Sequence, residues 1–477
     1  MHSLYHRKSK KSIVSIICQG ILYNEIYMVK LTFCGGAGTV TGSNYLLESG
    51  STKILIDCGL FQGSRFCEDL NYEPFSFNPE DINAVFVTHG HIDHIGRIPK
   101  LYKEGFRGKI ISTEPTKDMA EALLLDTEHI LSLEAGKHNP LYDIEDVDRV
   151  MHLWHGVPYH IHTEIGPFRV EFYDAGHILG SSSIVVEVEG KRIVFSGDLG
   201  NVPAPFINPT EYIEEADIVL IESTYGGRIH ENLDKRKDEL ESLIKTTMKA
   251  KGVVMIPAFA LERTQEMMYE LNELVENKKL PRVPVFIDSP LAIKLTEVYK
   301  KYSANNMYFN KEAIGLIRKG DAIFNFPGLS LSLTTEESKA INDVPPPKVI
   351  IAGSGMSQGG RIIHHEKRYL GDKKNAILFI GYQEKDSLGR KILEGEKIVR
   401  IAKEDIFVQC KVQATSGYSA HADQPQLIKW IREFKKPIQQ VYITQGEPEN
   451  SEALAQKLKD ELGVNVKIPQ SNETVIL

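Results

Sequence analysis

Apolar residues along this chain gather into short runs, several of which close on a polar residue with a glycine just behind it. Lys53-Ile54-Leu55-Ile56-Asp57-Cys58-Gly59, Ala84-Val85-Phe86-Val87, Ile193-Val194-Phe195 and Ile218-Val219-Leu220-Ile221-Glu222 are β-branched and aromatic enough to predict buried strands. A strand beginning at Met28 precedes them, then a loop from Gly35 to Ser43 with four glycines in eight residues, then a strand from Asn44 to Leu47. Such a loop approaches something closely. No Walker lysine follows it and no helix obviously begins there, so a role bordering the site described next is preferred over a phosphate cradle. A long helix is predicted from Thr116 to Leu133.

From about Arg228 to Lys391 the pattern changes to helices alternating with apolar strands. Helices are predicted over Leu233 to Ala250, Glu262 to Glu276 and Leu291 to Tyr302, with strands at Val253 to Ile256, Val283 to Asp288, Val349 to Ala352 and Ala376 to Ile380. That alternation predicts a parallel sheet wrapped by helices, hence a second α/β unit. A helix from Ser451 to Leu462 follows later.

The candidate chemistry sits where the apolar runs end. After Val87 the chain reads Thr88-His89-Gly90-His91-Ile92-Asp93-His94, three imidazoles and a carboxylate within six residues. Imidazole nitrogens and carboxylate oxygens suit zinc, and a strand end presents them at a fixed edge. His89 and His91 alternate toward one ion, while Asp93 and His94 fall on the next turn toward a second. Two later strand ends each deliver one more ligand type. His177 completes three histidines on the first ion, and Asp198 offers a carboxylate to bridge both. His129 and the group His152, His155, His160 and His162 lack ligand spacing after a strand and read as ordinary surface or structural residues.

Length, charge and cysteines narrow the classes. At 477 residues the chain predicts two or three domains. A net charge of −8 excludes a global basic footprint, so a nucleic-acid partner requires a local groove. Five cysteines without a Cys-Xaa-Xaa-Cys pair indicate neither a disulfide framework nor a thiolate zinc knuckle, and point to a reducing cytoplasm. Residues 1–27 imitate a signal peptide poorly and read as a leader or start-site extension without order. No stretch is apolar enough to cross a membrane.

The run His-Xaa-His-Xaa-Asp-His resembles the signature of the metallo-β-lactamase fold, and the strand ends at His177 and Asp198 match its later motifs. The segments Glu222-Ser223-Thr224-Tyr225-Gly226, Ile256-Pro257-Ala258-Phe259-Ala260 with Arg263 and Gln265, Ile287-Asp288-Ser289-Pro290, Gly353 to Arg361 and Ser416 to Asp423 resemble the β-CASP family, its RNA- and DNA-processing branch. The fold implied is an αββα sandwich at 28–222 and 395–477, interrupted by an inserted α/β β-CASP domain at 223–394.

The resemblance implies two zinc ions per chain, held by His89, His91, Asp93, His94, His177, Asp198 and His421, the last as the returning ligand on the second ion. It makes Asp57 a carboxylate that orients a ligand histidine, with a plain strand-end turn as the competing reading. Asp93, Glu222 and His421 are the implied catalytic groups, Glu222 lying near the bridging water. Ser354, Gly355, Met356, Gly360 and Arg361 are the implied RNA contacts. Arg263 is another, with an intramolecular ion pair as an equally good reading.

The implied activity is endonucleolytic hydrolysis of single-stranded RNA by a cytoplasmic metalloenzyme, as a homodimer and away from membranes. The rivals are a 5′–3′ exonuclease of the ribonuclease J type, whose additional C-terminal domain finds no room after Leu477, a catalytically silent RNA-binding subunit, and a small-molecule thioesterase. This chain departs from the family pattern at three places. Lys391 stands where the eukaryotic endonuclease has a histidine proposed as the leaving-group acid, which leaves His364 or His365 as a guess for that role. Glu262 replaces a common glycine. Gln445 replaces a common histidine, and neither Glu262 nor Gln445 is expected to touch the ligand set.

Overall fold

In a computed structural model, the chain is described over residues 28–477 apart from 64, 135–139, 231–234, 382, 384 and 385. The expected leader, residues 1–27, lies outside the described residues.

Two seven-stranded sheets form the frame. The first runs, in spatial order, Thr474–Ile476, Val29–Gly35, Asn44–Ser49, Thr52–Ile56, Ala84–Phe86, Lys109–Thr113 and Trp154–Val157. The second runs Val466–Lys467, Gln440–Thr444, Ile218–Glu222, Lys191–Phe195, Ser182–Val188, Phe168–Asp174 and Thr163–Ile165. Their inner faces meet through side chains from both, with the Phe86 and Phe172 rings 6.2 Å apart and those of Tyr45 and Phe195 5.6 Å apart. Helices cover the outer faces: Glu114–Glu134 and Ile144–Leu153 on the first sheet, Gln424–Arg432 and Pro448–Leu462 on the second. A strand such as Ala84–Phe86 is buried on both sides, which is why it reads as a continuous apolar run. This is the sandwich that the resemblance implies.

The insert is a six-stranded sheet, all parallel, in the order Leu329–Leu331, Val285–Asp288, Lys348–Ala352, Val253–Pro257, Ala376–Phe379 and Lys411–Ala414. Arg236–Lys249, Arg263–Glu276 and Pro290–Tyr302 bury their apolar residues against the core that this sheet shares with the sandwich. Ile362–Tyr369 and Leu388–Leu393 contribute Ile362 and Ile392 to a smaller cluster with Met255, Ile350 and Ile377. The last strand, Lys411–Ala414, falls beyond residue 394, where the sequence has the sandwich resuming. Its Lys-Val-Gln-Ala composition carries no apolar run to announce it.

Glu262 lies at φ +64, a left-handed conformation that explains why glycine suits this position. Its carboxyl is buried, accepts from the Tyr299 hydroxyl, and is pushed up to about 8, chiefly by burial. As expected, it stands apart from the ligand set. Among the described residues no helix is long and apolar enough to cross a membrane.

Candidate metal centre

The sandwich places its strand ends along one edge, and the candidate ligands collect there. His89 and His91 follow Ala84–Phe86, and the short helix Ile92–Ile95 carries Asp93 and His94. His177 follows Phe168–Asp174, and Asp198 follows Lys191–Phe195. Gly59, at the end of the neighbouring strand, is required by close approach: a Cβ there would lie 1.5 Å from the Asp93 carbonyl oxygen.

Four donor atoms form a compact cage. His91 Nδ1 lies 3.0 Å from His89 Nε2 and 3.2 Å from His177 Nε2. Asp198 Oδ2 lies 3.5 Å from His89 Nε2 and 3.6 Å from His177 Nε2. A tetrahedron of ligands about 2.0–2.1 Å from zinc has edges of about 3.3–3.4 Å, so these four residues fit such an ion. Burial, the largest influence on each, holds His89 and His177 well below the ordinary imidazole range and takes His91 down to about 3. Neutral imidazoles are what a metal needs. The ring of His177 is oriented from behind, its Nδ1 3.2 Å from the Ala420 carbonyl, which can only accept.

A second position opens on the other side of Asp198. His94 Nε2 lies 3.4 Å from Asp198 Oδ1 and 3.9 Å from Asp93 Oδ2. His94 Nδ1 is 2.7 Å from Asp57 Oδ2, and Asp57 is itself fixed by the Thr88 amide at 2.8 Å and the Ser43 hydroxyl at 3.0 Å. Asp57 is therefore in contact with a histidine of the cluster. Burial raises the Asp93 carboxyl to about 6, against the pull of His94.

His421 stands with a different partner. Its Nδ1 is 3.3 Å from Glu222 Oε1 and 3.8 Å from Asp198 Oδ2. Burial opposes its charge, but Glu222 and then Asp198 outweigh burial and raise it to about 9. Glu222 is fixed by the Leu199 amide at 2.7 Å. Asp198, Glu222 and His421 form a second group of donor atoms within 4.8 Å of one another.

Gln445 is the residue that sequence reasoning misplaced. The expectation that it leaves the ligand set untouched is corrected by its side-chain amide, 2.9 Å from His94 Nε2 and 3.0 Å from Asp198 Oδ1. The glycine-rich loop borders this corner, with the Gly36 carbonyl accepting from the Gln445 amide at 2.6 Å.

The cluster opens onto a cleft of about 400 Å³ between sandwich and insert, lined by His91, Asp93, His177, Asp198 and His421 on one side and Phe259, Arg263 and Met356 on the other. The expected RNA contacts divide. Met356 faces the cleft. Ser354 closes its own loop, its hydroxyl accepting from the Gln358 and Gly359 amides at 3.2 and 3.3 Å. Gly360 sits at φ +66, and a Cβ on it would lie 2.3 Å from the Gly353 carbonyl oxygen. Gly355 packs against the Phe259 ring, which an added Cβ would approach to 2.6 Å.

Arg361 turns inward to Asp288 at 2.8 Å and to the Ser332 and Leu333 carbonyls at 2.9 Å each, which engages three of its five N–H donors within the protein. Arg263 reaches the cleft wall but is paired with Glu266 and the Tyr418 carbonyl, which is the ion-pair reading. His365 is buried on Asp288 at 2.8 Å, and neither it nor His364 or Lys391 lines the cleft.

Family models match the chain in three consecutive blocks: the metallo-beta-lactamase superfamily over residues 37–211, the Beta-Casp domain over 264–392, and the Zn-dependent metallo-hydrolase RNA specificity domain over 405–469. Ribonuclease TTHA0252 of Thermus thermophilus is 37% identical over 429 residues, covering 89% of this chain and 94% of that protein. The RNase J-like protein of Methanocaldococcus jannaschii is 32% identical over 93% of this chain and 98% of its own length. Transcription termination factor FttA of Methanosarcina mazei is 31% identical over 94% and 72% respectively. A crystal structure of a protein of unknown function from Enterococcus faecalis V583 shares the fold with a TM-score of 0.56 at 13% identity, covering 94% of this chain and 100% of that one. The chain belongs to the β-CASP family of metallo-β-lactamase-fold hydrolases.

Proposed function

We propose that this chain is a zinc-dependent endoribonuclease that hydrolyses single-stranded RNA to leave a 3′-hydroxyl and a 5′-phosphate. The observation that carries it is the cage of His89, His91, His177 and Asp198, with zinc-sized edges, beside a second cluster that shares Asp198. Bound there, metal ions supply Lewis acidity and polarise water at neutral pH. RNA as substrate is supported by the names of the Thermus and Methanocaldococcus relatives and by the RNA specificity model over 405–469. The cleft of about 400 Å³ beside the cluster offers a place for the reacting nucleotide of a single strand.

The chain's own groups have distinct parts. A water oxygen bonds to phosphorus as the bond from phosphorus to O3′ breaks. Asp93 lies on the cleft to accept the water's proton. His421, held at Nδ1 by Glu222, lies on the same wall and donates a proton to the departing O3′. We assign His421 this acid role in preference to that of ligand on the second ion, because its Nδ1 is engaged by Glu222, whereas Lys391, His364 and His365 do not line the cleft. Phe259 and Met356 offer an apolar face for bases. Cys34, Cys58 and Cys410 stand outside any disulfide, which agrees with a reducing cytoplasm as the compartment.

The test compares a circular RNA with a 5′-labelled linear one of the same sequence. The circle should be opened and the linear RNA cut to internal fragments. An intact circle beside mononucleotides from the linear RNA would establish exonuclease action instead.

A further inference from the structure

We propose that Arg236, Glu270 and Tyr418, a buried trio where the insert meets the returning chain, are positioning residues: they hold the strap 417–420 and so set where His421 stands in the cleft. This rests on reading His421 as the leaving-group acid, and adds to that reading the groups that aim it.

By the strap the chain returns from the insert to the sandwich, and each of its four carbonyls is held. From the insert, Arg236 donates to the Gly417 carbonyl at 2.7 Å and Arg263 to that of Tyr418. From the sandwich, the Asn201 side-chain amide donates to the Ser419 carbonyl at 3.0 Å, and its backbone amide to that of Ala420 at 2.9 Å. His421 is the next residue. The strap is thus held at both ends, and its first half answers to the insert.

Arg236 opens the helix Arg236–Lys249 and is itself aimed by two contacts. Its Nε donates to Glu270 at 2.9 Å, and its guanidinium lies 5.1 Å over the Tyr418 ring. The Tyr418 hydroxyl donates to the same Glu270, which closes a ring from carboxylate to strap and back. Gly417 is required by the close approach of the helix: a Cβ on it would lie 2.9 Å from the Arg236 Cβ. Arg236 and Glu270 do not line the cleft, so contact with RNA is not their task.

Stability alone does not call for this arrangement. Taking an ion pair out of water offsets most of its attraction, and well-packed apolar side chains of similar volume serve as well. Rate is the more demanding criterion, since a shift of about 1 Å in a reacting group costs roughly a hundredfold. A planar guanidinium that binds a carboxylate and a carbonyl at once fixes both distance and direction.

The experiment compares the full chain with an Arg236→Met, Glu270→Met double variant, with Tyr418→Phe and with His421→Ala. It reads kcat and KM on a single-stranded RNA, melting temperature, and hydrogen exchange of residues 417–422. Two methionines refill most of the volume, so the double variant should melt close to wild type. Its kcat should fall roughly 10- to 100-fold with KM unchanged, and exchange at 417–422 should quicken. Tyr418→Phe, which loses one hydroxyl, should lose several-fold in kcat, and it decides the matter if the double variant does not fold. Because the trio acts through His421, adding the double substitution to His421→Ala should cost little further kcat. Wild-type kcat and exchange in the folded variants, a rise in KM alone, or a loss that multiplies that of His421→Ala would overturn the proposal. A His421→Ala chain that cuts at the wild-type rate would remove the acid reading, whereas the exchange of 417–422 still shows whether the trio holds the strap.

Discussion

His94 Nδ1 lies 2.7 Å from Asp57 Oδ2, across 37 residues of sequence, and this contact decides which imidazole nitrogen faces Asp198. With the Nδ1 proton shared with Asp57, Nε2 is left to present a lone pair. Asp57→Asn would offer a donor to Nδ1 and move the proton to Nε2, where it blocks a metal. Asparagine also tolerates the backbone of residue 57, at φ +60. The expected result is a folded protein whose second ion binds roughly 10- to 100-fold more weakly, measured by metal titration. Unchanged affinity would show that Asp57 only closes the turn.

His91 shares short contacts with both His89 and His177, so it is central to the first cage. His91→Ala should lose the retained zinc and at least about a hundredfold of RNA cleavage. Metal content and cleavage are measured on the same preparation. Cleavage at the wild-type rate would sink the site assignment.

Arg361 now predicts a different phenotype from that of a phosphate clamp. Arg361→Ala strips a buried Asp288 of one donor and should cost about 1–3 kcal/mol of stability, read by chemical denaturation. The salt dependence of RNA binding should not change. A slope reduced by about one unit would restore the phosphate role.

Glu366 gives the folded protein a pH dependence remote from the metal centre. Burial pushes its carboxyl up to about 8, with the Ser357 hydroxyl pulling the other way. Between the ordinary glutamate range near 4.5 and about 8, the folded chain holds a proton that the unfolded chain has lost. Stability contributed by this group is therefore full below that window and falls as pH rises through it. Glu366→Gln should flatten this part of the stability profile. An identical slope in the variant would show that Glu366 ionises freely in the fold.

The sequence made the first cage legible because each ligand follows an apolar strand, and strand ends of one sandwich converge on one edge. His421 and Gln445 were harder, since their placement depends on where the chain returns after the insert. The Gln445 contact with His94 spans 351 residues, and no local pattern encodes it. Arg361 is open to two readings for a related reason: a glycine-rich loop beside an arginine looks the same whether the fork faces the cleft or a buried Asp288. The strand at Lys411–Ala414 was hidden by its polar composition, because at the edge of its sheet none of its four residues is fully buried.

The order of the chain separates the two halves of the centre. His89, His91, His177 and Asp198 all precede the insert, whereas His421 and Gln445 follow it. A product cut short between residues 198 and 421 therefore keeps every residue of the first cage and loses both His421 and Gln445.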